Sequence, residues 1–154
     1  MNIENFEYAI TFDDGKKLEN IQNSDVIILG PSRAGKTPLC FYLAFFNIKA
    51  CNIPIVPNMN IENILSLLPK NKLFGLIRST ESLQMIRRTR SKYLGVAGDY
   101  INPEKIFEEL ENCLNLYNTL KIPVIDMDKT SIEEASIFIQ NRIQVGGKNG
   151  KISL

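Results

Sequence analysis

"DVIILGPSRAGKTPLC", residues 25–40, decides the reading of this chain. It opens on a continuous apolar, β-branched run, Val26 to Leu29, the pattern of a strand buried on both faces of a parallel sheet. It continues as Gly30-Pro31-Ser32-Arg33-Ala34-Gly35-Lys36-Thr37, which satisfies GxxxxGK[ST] at every fixed position. It then enters "PLCFYLAFF", which reads as a helix packed on that sheet. A glycine-rich turn between a strand end and a helix start brings successive backbone N–H groups close to phosphate oxygens. The helix N-terminus adds donors and a partial positive charge. In such a loop Lys36 reaches the β- and γ-phosphates and Thr37 offers its hydroxyl to Mg²⁺. The pattern points to a phosphorylated nucleotide, ADP or ATP, held by residues 30–37. Pro38 fits the first helical turn, where the lost N–H has no intrahelical partner. Arg33 is a further donor that either clamps a phosphate or faces solvent.

Outward from this stretch, strands and helices alternate. "FEYAITF" (6–12) alternates as a strand does and is closed by the turn "DDGKK". "KACNIPIV" (49–56) is a second buried strand, ended by Pro57, and "IENILSLL" (61–68) a short helix stopped by Pro69. "KLFGLI" (72–77) is a third strand, followed by a basic helix "STESLQMIRRTR" (79–90) with Ser79 at its N-cap. "SKYLGVAGDYIN" (91–102) is rich in turn formers and reads as a loop or lid. "NPEKIFEELENCLNLYNTL" (102–120) is the clearest helix, capped by Asn102 with Pro103 at its first position. Ile106, Phe107, Leu110, Leu114 and Tyr117 fall on one face of it. "IPVIDM" (122–127) is a fourth strand, and "SIEEASIFIQNRI" (131–143) a closing helix with Ser131 and Glu134 spaced as a capping box. The pattern predicts an α/β fold of the P-loop nucleotide-kinase type, with a mostly parallel sheet of about four strands flanked by helices. It divides into an N-terminal strand and turn (1–24), the main domain (25–145) and a loose tail (146–154). Ligands in such sheets sit beyond the carboxyl ends of the strands.

Composition narrows the function. The 18 basic and 17 acidic residues of the 154 leave a net charge of +1, which argues for neither nucleic acid nor membrane as partner. The start "MNIENFEYAI" has no secretory pattern, and the longest apolar run, "PLCFYLAFFNI", is short of the ~20 residues that cross a bilayer. Three cysteines, Cys40, Cys51 and Cys113, are an odd number without CxxC spacing, as expected of buried, reduced thiols in a cytoplasmic protein. With no histidine in the chain, the usual serine-triad and Cys–His chemistries are excluded.

Other candidates each have a plainer alternative. Asp126 ends the fourth strand, where a carboxylate holds Mg²⁺ directly or through water, or orients an attacking hydroxyl; aspartates also simply cap strand ends. The third strand ends Ile77-Arg78 without an acid, which favours Asp126 for the metal together with Thr37. Asp13 and Asp14 form a carboxylate pair, with Asp14 as general base, or an ordinary turn. Arg87 and Arg90, three residues apart, can face one side and supply charge to a transferring phosphoryl group from a lid; a solvated basic face reads the same way. Asn52 is a possible ligand contact beside the structural Pro54 and Pro57.

"GPSRAGKTPLCFYLA", "CNIPIVP", "FGLI", "IRRTR" and "VIDMDKTSIEEAS" occur in the order and spacing of one family. The chain resembles the regulatory proteins of pyruvate, phosphate dikinase and of phosphoenolpyruvate synthetase from about Asp13 to Ser136. The resemblance implies a bifunctional enzyme. With ADP it phosphorylates a threonine of the dikinase or synthetase, switching it off. With inorganic phosphate as co-substrate it reverses the modification, releasing pyrophosphate. The family's members are commonly longer ahead of the loop, so an N-terminal portion is expected to be missing here, where 29 residues precede Gly30. Phe12 stands in place of the family's histidine, and Ile77 and Asp128 in place of its threonines. The alternatives are a small-molecule kinase and a nucleotide-binding module without transferase activity.

Overall fold

The computed structural model describes residues 3–11, 23–57, 59, 60, 63, 66, 68–94 and 98–146. Four strands, β1 (Val26–Gly30), β2 (Ala50–Pro54), β3 (Leu73–Ile77) and β4 (Val124–Asp126), form one sheet in the order β2-β1-β3-β4, with every pairing parallel. The expected α/β architecture with four parallel strands is therefore present. Among the described residues five α-helices accompany it: α1 (Ile3–Thr11), α2 (Lys36–Ala44), α3 (Thr80–Leu94), α4 (Pro103–Leu120) and α5 (Ile132–Gly146).

The strands alternate between two cores, as the two-residue period of a strand requires. Val26, Ile28, Phe74 and Leu76 pack with Leu39 and Leu43 of α2 and Ala135 and Ile139 of α5. Ile27, Leu29, Cys51, Ile53 and Leu73 pack on the other face with Cys113, Leu116, Tyr117 and Leu120 of α4. A smaller cluster of Leu83, Ile106 and Leu110 joins α3 to α4. All three cysteines are buried and unpaired. Burial pushes the Cys51 and Cys113 thiols up to about 11, so both stay protonated packing groups at neutral pH.

The N-terminal segment corrects the sequence reading: Ile3–Thr11 is a helix, where alternation predicted a strand. Phe6, Tyr8 and Ile10 do alternate, but Ile10 is exposed while Asn5 and Ala9, one turn apart, are buried. The segment packs on α2 and β2. Phe6 meets Phe45 edge-on at 5.0 Å, and the Tyr8 hydroxyl lies 2.6 Å from Ser24 Oγ. Tertiary contacts override the local pattern there. The turn "DDGKK", most of "IENILSLL" and the tail from 147 lie outside the described residues.

Helix α4 begins as read: Asn102 Oδ1 accepts hydrogen bonds from the N–H groups of Glu104 and Lys105, with Pro103 next to the cap. Its buried face differs. Phe107 and Leu114 are exposed, and Cys113, Leu116 and Leu120 take their place beside Ile106, Leu110 and Tyr117. Asn102→Ala is expected to remove about 1 kcal/mol of stability. Thermal unfolding should show this as a midpoint lowered by about 2–4 °C, with no change in the far-UV spectrum. Helix α5 has the expected capping box, with Glu134 N–H donating to Ser131 Oγ and Ser131 N–H to Glu134 Oε1. Ser79 caps α3 by accepting from Ser82 N–H. That helix runs to Leu94, four residues into the segment read as a loop.

The chain passes from β1 to β2 on one side, then over to β3 on the other. The reversal lies between β1 and β3, where parallel sheets of this kind place their ligands.

Candidate phosphate-binding site

Residues 30–37 leave the carboxyl end of β1 and enter α2. Gly30 is pressed between neighbours: a Cβ on it would lie 3.4 Å from Leu76 Cβ and carbonyl and 3.5 Å from Ala34 Cβ. Arg33 (φ 71°) and Gly35 (φ 104°) both adopt left-handed backbone, which folds the loop back over the start of α2. Gly35 occupies the N-cap position and contributes no side-chain cap, so the helix start remains open to an approaching acceptor. Pro38 sits inside the first turn, as expected. The Pro31 carbonyl accepts from Ala34 N–H at 3.3 Å and from the Lys36 ammonium at 2.8 Å. Lys36 is buried at 4% exposure, so its charge is committed to the inside of the loop rather than to solvent. Arg33 is exposed, whereas Ala34 is buried.

Two adjoining pockets open on the loop. One, of about 450 Å³, is lined by Ser32, Arg33, Gly35, Lys36, Thr37 and Arg78, among others. The other, of about 500 Å³, lies beyond Ser32 and Val56, which line both, and is bounded by Arg87, Tyr100, Glu109 and Asn112. The first combines backbone donors, a helix start, an ammonium and a hydroxyl, the set that suits phosphate oxygens.

The remaining candidates are dispersed. Arg87 and Arg90 differ in environment: Arg87 is fully buried and Arg90 is exposed. All five N–H donors of Arg87 have acceptors, so it is a strut behind the loop. Nε and Nη2 donate to the Ser32 carbonyl at 3.3 Å, Nη1 to the Tyr100 carbonyl at 3.2 Å, and both Nη atoms to Glu109 at 3.0 and 2.9 Å. Its guanidinium also stacks 4.7 Å above the Tyr100 ring, and the Tyr100 hydroxyl lies 2.9 Å from Ser32 Oγ. Helix α4 packs over the Arg87 side of α3, and Arg90, three residues on, lies beyond that contact.

Asp126 ends β4, two strands from β1, about 10 Å across the sheet. Its Oδ1 accepts from Asp128 N–H at 2.9 Å. Asn52 is fully buried and donates to Cys40 Sγ at 3.8 Å, a core role. Asp13 and Asp14 lie outside the described residues. Among the described residues no group of three or more His, Cys, Asp or Glu side chains is placed to hold a metal ion. Nor is any described helix long and apolar enough to cross a membrane.

Arg78, which the sequence places in the basic cluster with Arg87 and Arg90 without singling it out, is the member of that cluster that lines the loop pocket. Its Nη1 donates to Asp128 Oδ1 at 3.3 Å and to the Met127 carbonyl at 3.4 Å, and Asp128 Oδ2 accepts from Ser79 N–H at 2.8 Å. Partial burial opposes ionisation of Asp128. Hydrogen bonds from the Ser79 backbone, the Ser82 and Ser79 hydroxyls and Arg78 outweigh it and hold the carboxyl below its ordinary value. The one available signal was position, directly after the strand neighbouring β1.

A family model described as kinase/pyrophosphorylase matches residues 1–139. A protein of Streptococcus uberis, named "Putative pyruvate, phosphate dikinase regulatory protein", is 38% identical over 144 residues, covering 92% of this chain and 53% of its own length. A Desulfitobacterium hafniense protein of the same name is 38% identical over 149 residues, 96% of this chain and 55% of its own length. One from Streptococcus agalactiae is 33% identical over 151 residues, at 97% and 55%. The chain thus spans about half the length of the curated relatives it matches.

Proposed function

The chain belongs to the kinase/pyrophosphorylase family, and from that premise we propose that it phosphorylates a threonine of pyruvate, phosphate dikinase at the expense of ADP. The threonine oxygen bonds to the β-phosphorus of ADP, the bond to the bridging oxygen breaks, and AMP leaves. In the reverse reaction an oxygen of inorganic phosphate attacks the phosphothreonine, freeing the threonine hydroxyl and releasing pyrophosphate. The relatives' names favour the dikinase over phosphoenolpyruvate synthetase as target. Both reactions belong in the cytoplasm, where such an enzyme and its nucleotide meet.

The observation that carries the reading is the 30–37 loop, with left-handed Gly35 at the helix start and the Lys36 ammonium buried inside it. Backbone N–H groups of the loop orient the phosphate chain. Lys36, already within 2.8 Å of the Pro31 carbonyl, exchanges that acceptor for a phosphate oxygen and neutralises charge as the bond breaks. The donor set suits Mg²⁺ arriving with the nucleotide: Thr37, which lines the pocket, would supply a hydroxyl, and nucleotide and water would supply the rest. Bound there, the ion would offset phosphate charge. Asp126, two strands away, stays in the proposal as the carboxylate that would help hold the ion. Asp14 stays in the proposal as the base that takes the threonine proton.

The test is transfer of label from [β-³²P]ADP to pyruvate, phosphate dikinase. The native chain should label the dikinase, and Lys36→Ala should reduce the rate by about 10²–10³-fold. Tight Mg–ADP binding with no transfer would instead make this half-length chain a nucleotide-binding module.

A further inference from the structure

We propose that Arg78 is an anion-binding residue of the 30–37 site, acting on the phosphoryl group together with Lys36, and that Asp128 is the positioning residue that aims it. The proposal rests on the phosphate reading of the loop and adds a residue to it.

Arg78 follows the last residue of β3, the strand beside β1, so it stands at the crevice where the strand order reverses. It lines the same pocket as Lys36 and Thr37. Its Nη2 lies 3.8 Å from where a Cβ on Gly35 would sit, above the residue that opens α2. A Cβ at Gly35 would come into contact with the guanidinium, and the left-handed φ of 104° already favours glycine there.

The hydrogen bonds are one-sided. Arg78 engages the protein through Nη1, at Asp128 Oδ1 and the Met127 carbonyl. Its Nε is buried and, among the described residues, has no hydrogen-bond partner. The edge formed by Nε and Nη2 is the fork that matches two oxygens of a phosphate or carboxylate, and its Nη2 end lies beside Gly35 of the loop. A buried N–H without an acceptor is uncommon and calls for a reason; a bound anion supplies one. Asp128, tied to the Ser79 N–H, prevents the guanidinium from swinging out. The class of ligand is a phosphoryl dianion, whether the β-phosphate of a nucleoside diphosphate, inorganic phosphate or pyrophosphate.

Calorimetric titration of pyrophosphate and of ADP into the native chain, Arg78→Gln, Arg78→Lys, Asp128→Asn and Lys36→Ala tests this, with thermal unfolding of each variant alongside. Arg78→Gln should weaken both ligands by about tenfold to a hundredfold, the usual worth of a charge-assisted pair of bonds. Arg78→Lys, which preserves charge and fold, should recover only part, because one ammonium cannot form the fork. Asp128→Asn should weaken binding less. The salt dependence of pyrophosphate affinity should flatten in Arg78→Gln. If folded Arg78→Gln and Arg78→Lys bind pyrophosphate as the native chain does, while Lys36→Ala does not, Arg78 is a structural strut and the proposal is wrong. If the folded native chain binds neither pyrophosphate nor ADP, the phosphate reading itself fails and this one with it.

Discussion

Arg87→Met is expected to lower the stability of the fold by about 3–5 kcal/mol, the effect of breaking a buried, fully bonded ion pair from one side. Three acceptors lose their donor at once: the Ser32 carbonyl, the Tyr100 carbonyl and the Glu109 carboxylate. Methionine fills the volume and restores none of these bonds. For a chain of this length the midpoint should fall by about 10 °C. Glu109→Leu should be at least as damaging, since it leaves a guanidinium with 0% exposure unpaired, whereas the carboxylate retains 13%. The Arg87→Met, Glu109→Leu double variant should recover part of the loss, because an apolar pair often replaces a buried ion pair at little cost. It should not recover all, as the two carbonyls stay without a donor. Urea unfolding of the four proteins closes the cycle, and additive losses would show that the pair does not act as a unit. Phosphate affinity of the double variant should remain reduced even when it is folded, since Ser32 is no longer held from behind.

Gly75→Ala should be the most damaging single-methyl change in the sheet. A Cβ there would lie 2.6 Å from Cε2 and Cζ of Tyr117, closer than real Cβ contacts come. The ring cannot yield readily. It is fully buried, and its hydroxyl donates to the Leu76 carbonyl at 2.9 Å and the Leu29 carbonyl at 3.2 Å, tying α4 to two strands. Burial holds the Tyr117 hydroxyl well above its ordinary range, so it remains a donor at every working pH. Overpacking and loss of that bond together are expected to remove about 3 kcal/mol or more. Adding Tyr117→Leu should relieve the clash but not the lost hydrogen bonds, giving a double variant more stable than the sum of the two losses predicts. Additive losses by urea unfolding would mean that the ring moves aside freely.

Much of the fold was legible because its signals are local. The uninterrupted run Val26–Leu29 marks a doubly buried strand wherever it occurs, and the Asn102-Pro103 pair and the Ser131–Glu134 box specify helix starts through bonds spanning two or three residues. The loop is legible for the same reason: its glycines, lysine and threonine act within eight consecutive residues, and left-handed Gly35 is a property of that turn alone. Local patterns misled where neighbours decide. Ile3–Thr11 alternates like a strand yet is a helix because α2 and β2 lie beside it, and α4 buries Cys113 in preference to Leu114 because of how it lies on the sheet.

By itself, then, the sequence determined the strand–loop–helix unit, the α/β class and the helix caps, all of them fixed by short-range backbone geometry and periodicity. Only the tertiary structure decided what the charges do. Arg87, read as a group for the reaction, is consumed behind the loop because α4 brings Glu109 against it. Arg78 and Asp128, fifty positions apart, meet because β3 and β4 pair in parallel with their carboxyl ends together. A charged side chain has no periodicity to reveal its partner; its role depends on which acceptors the fold brings within about 3 Å and how much water it excludes.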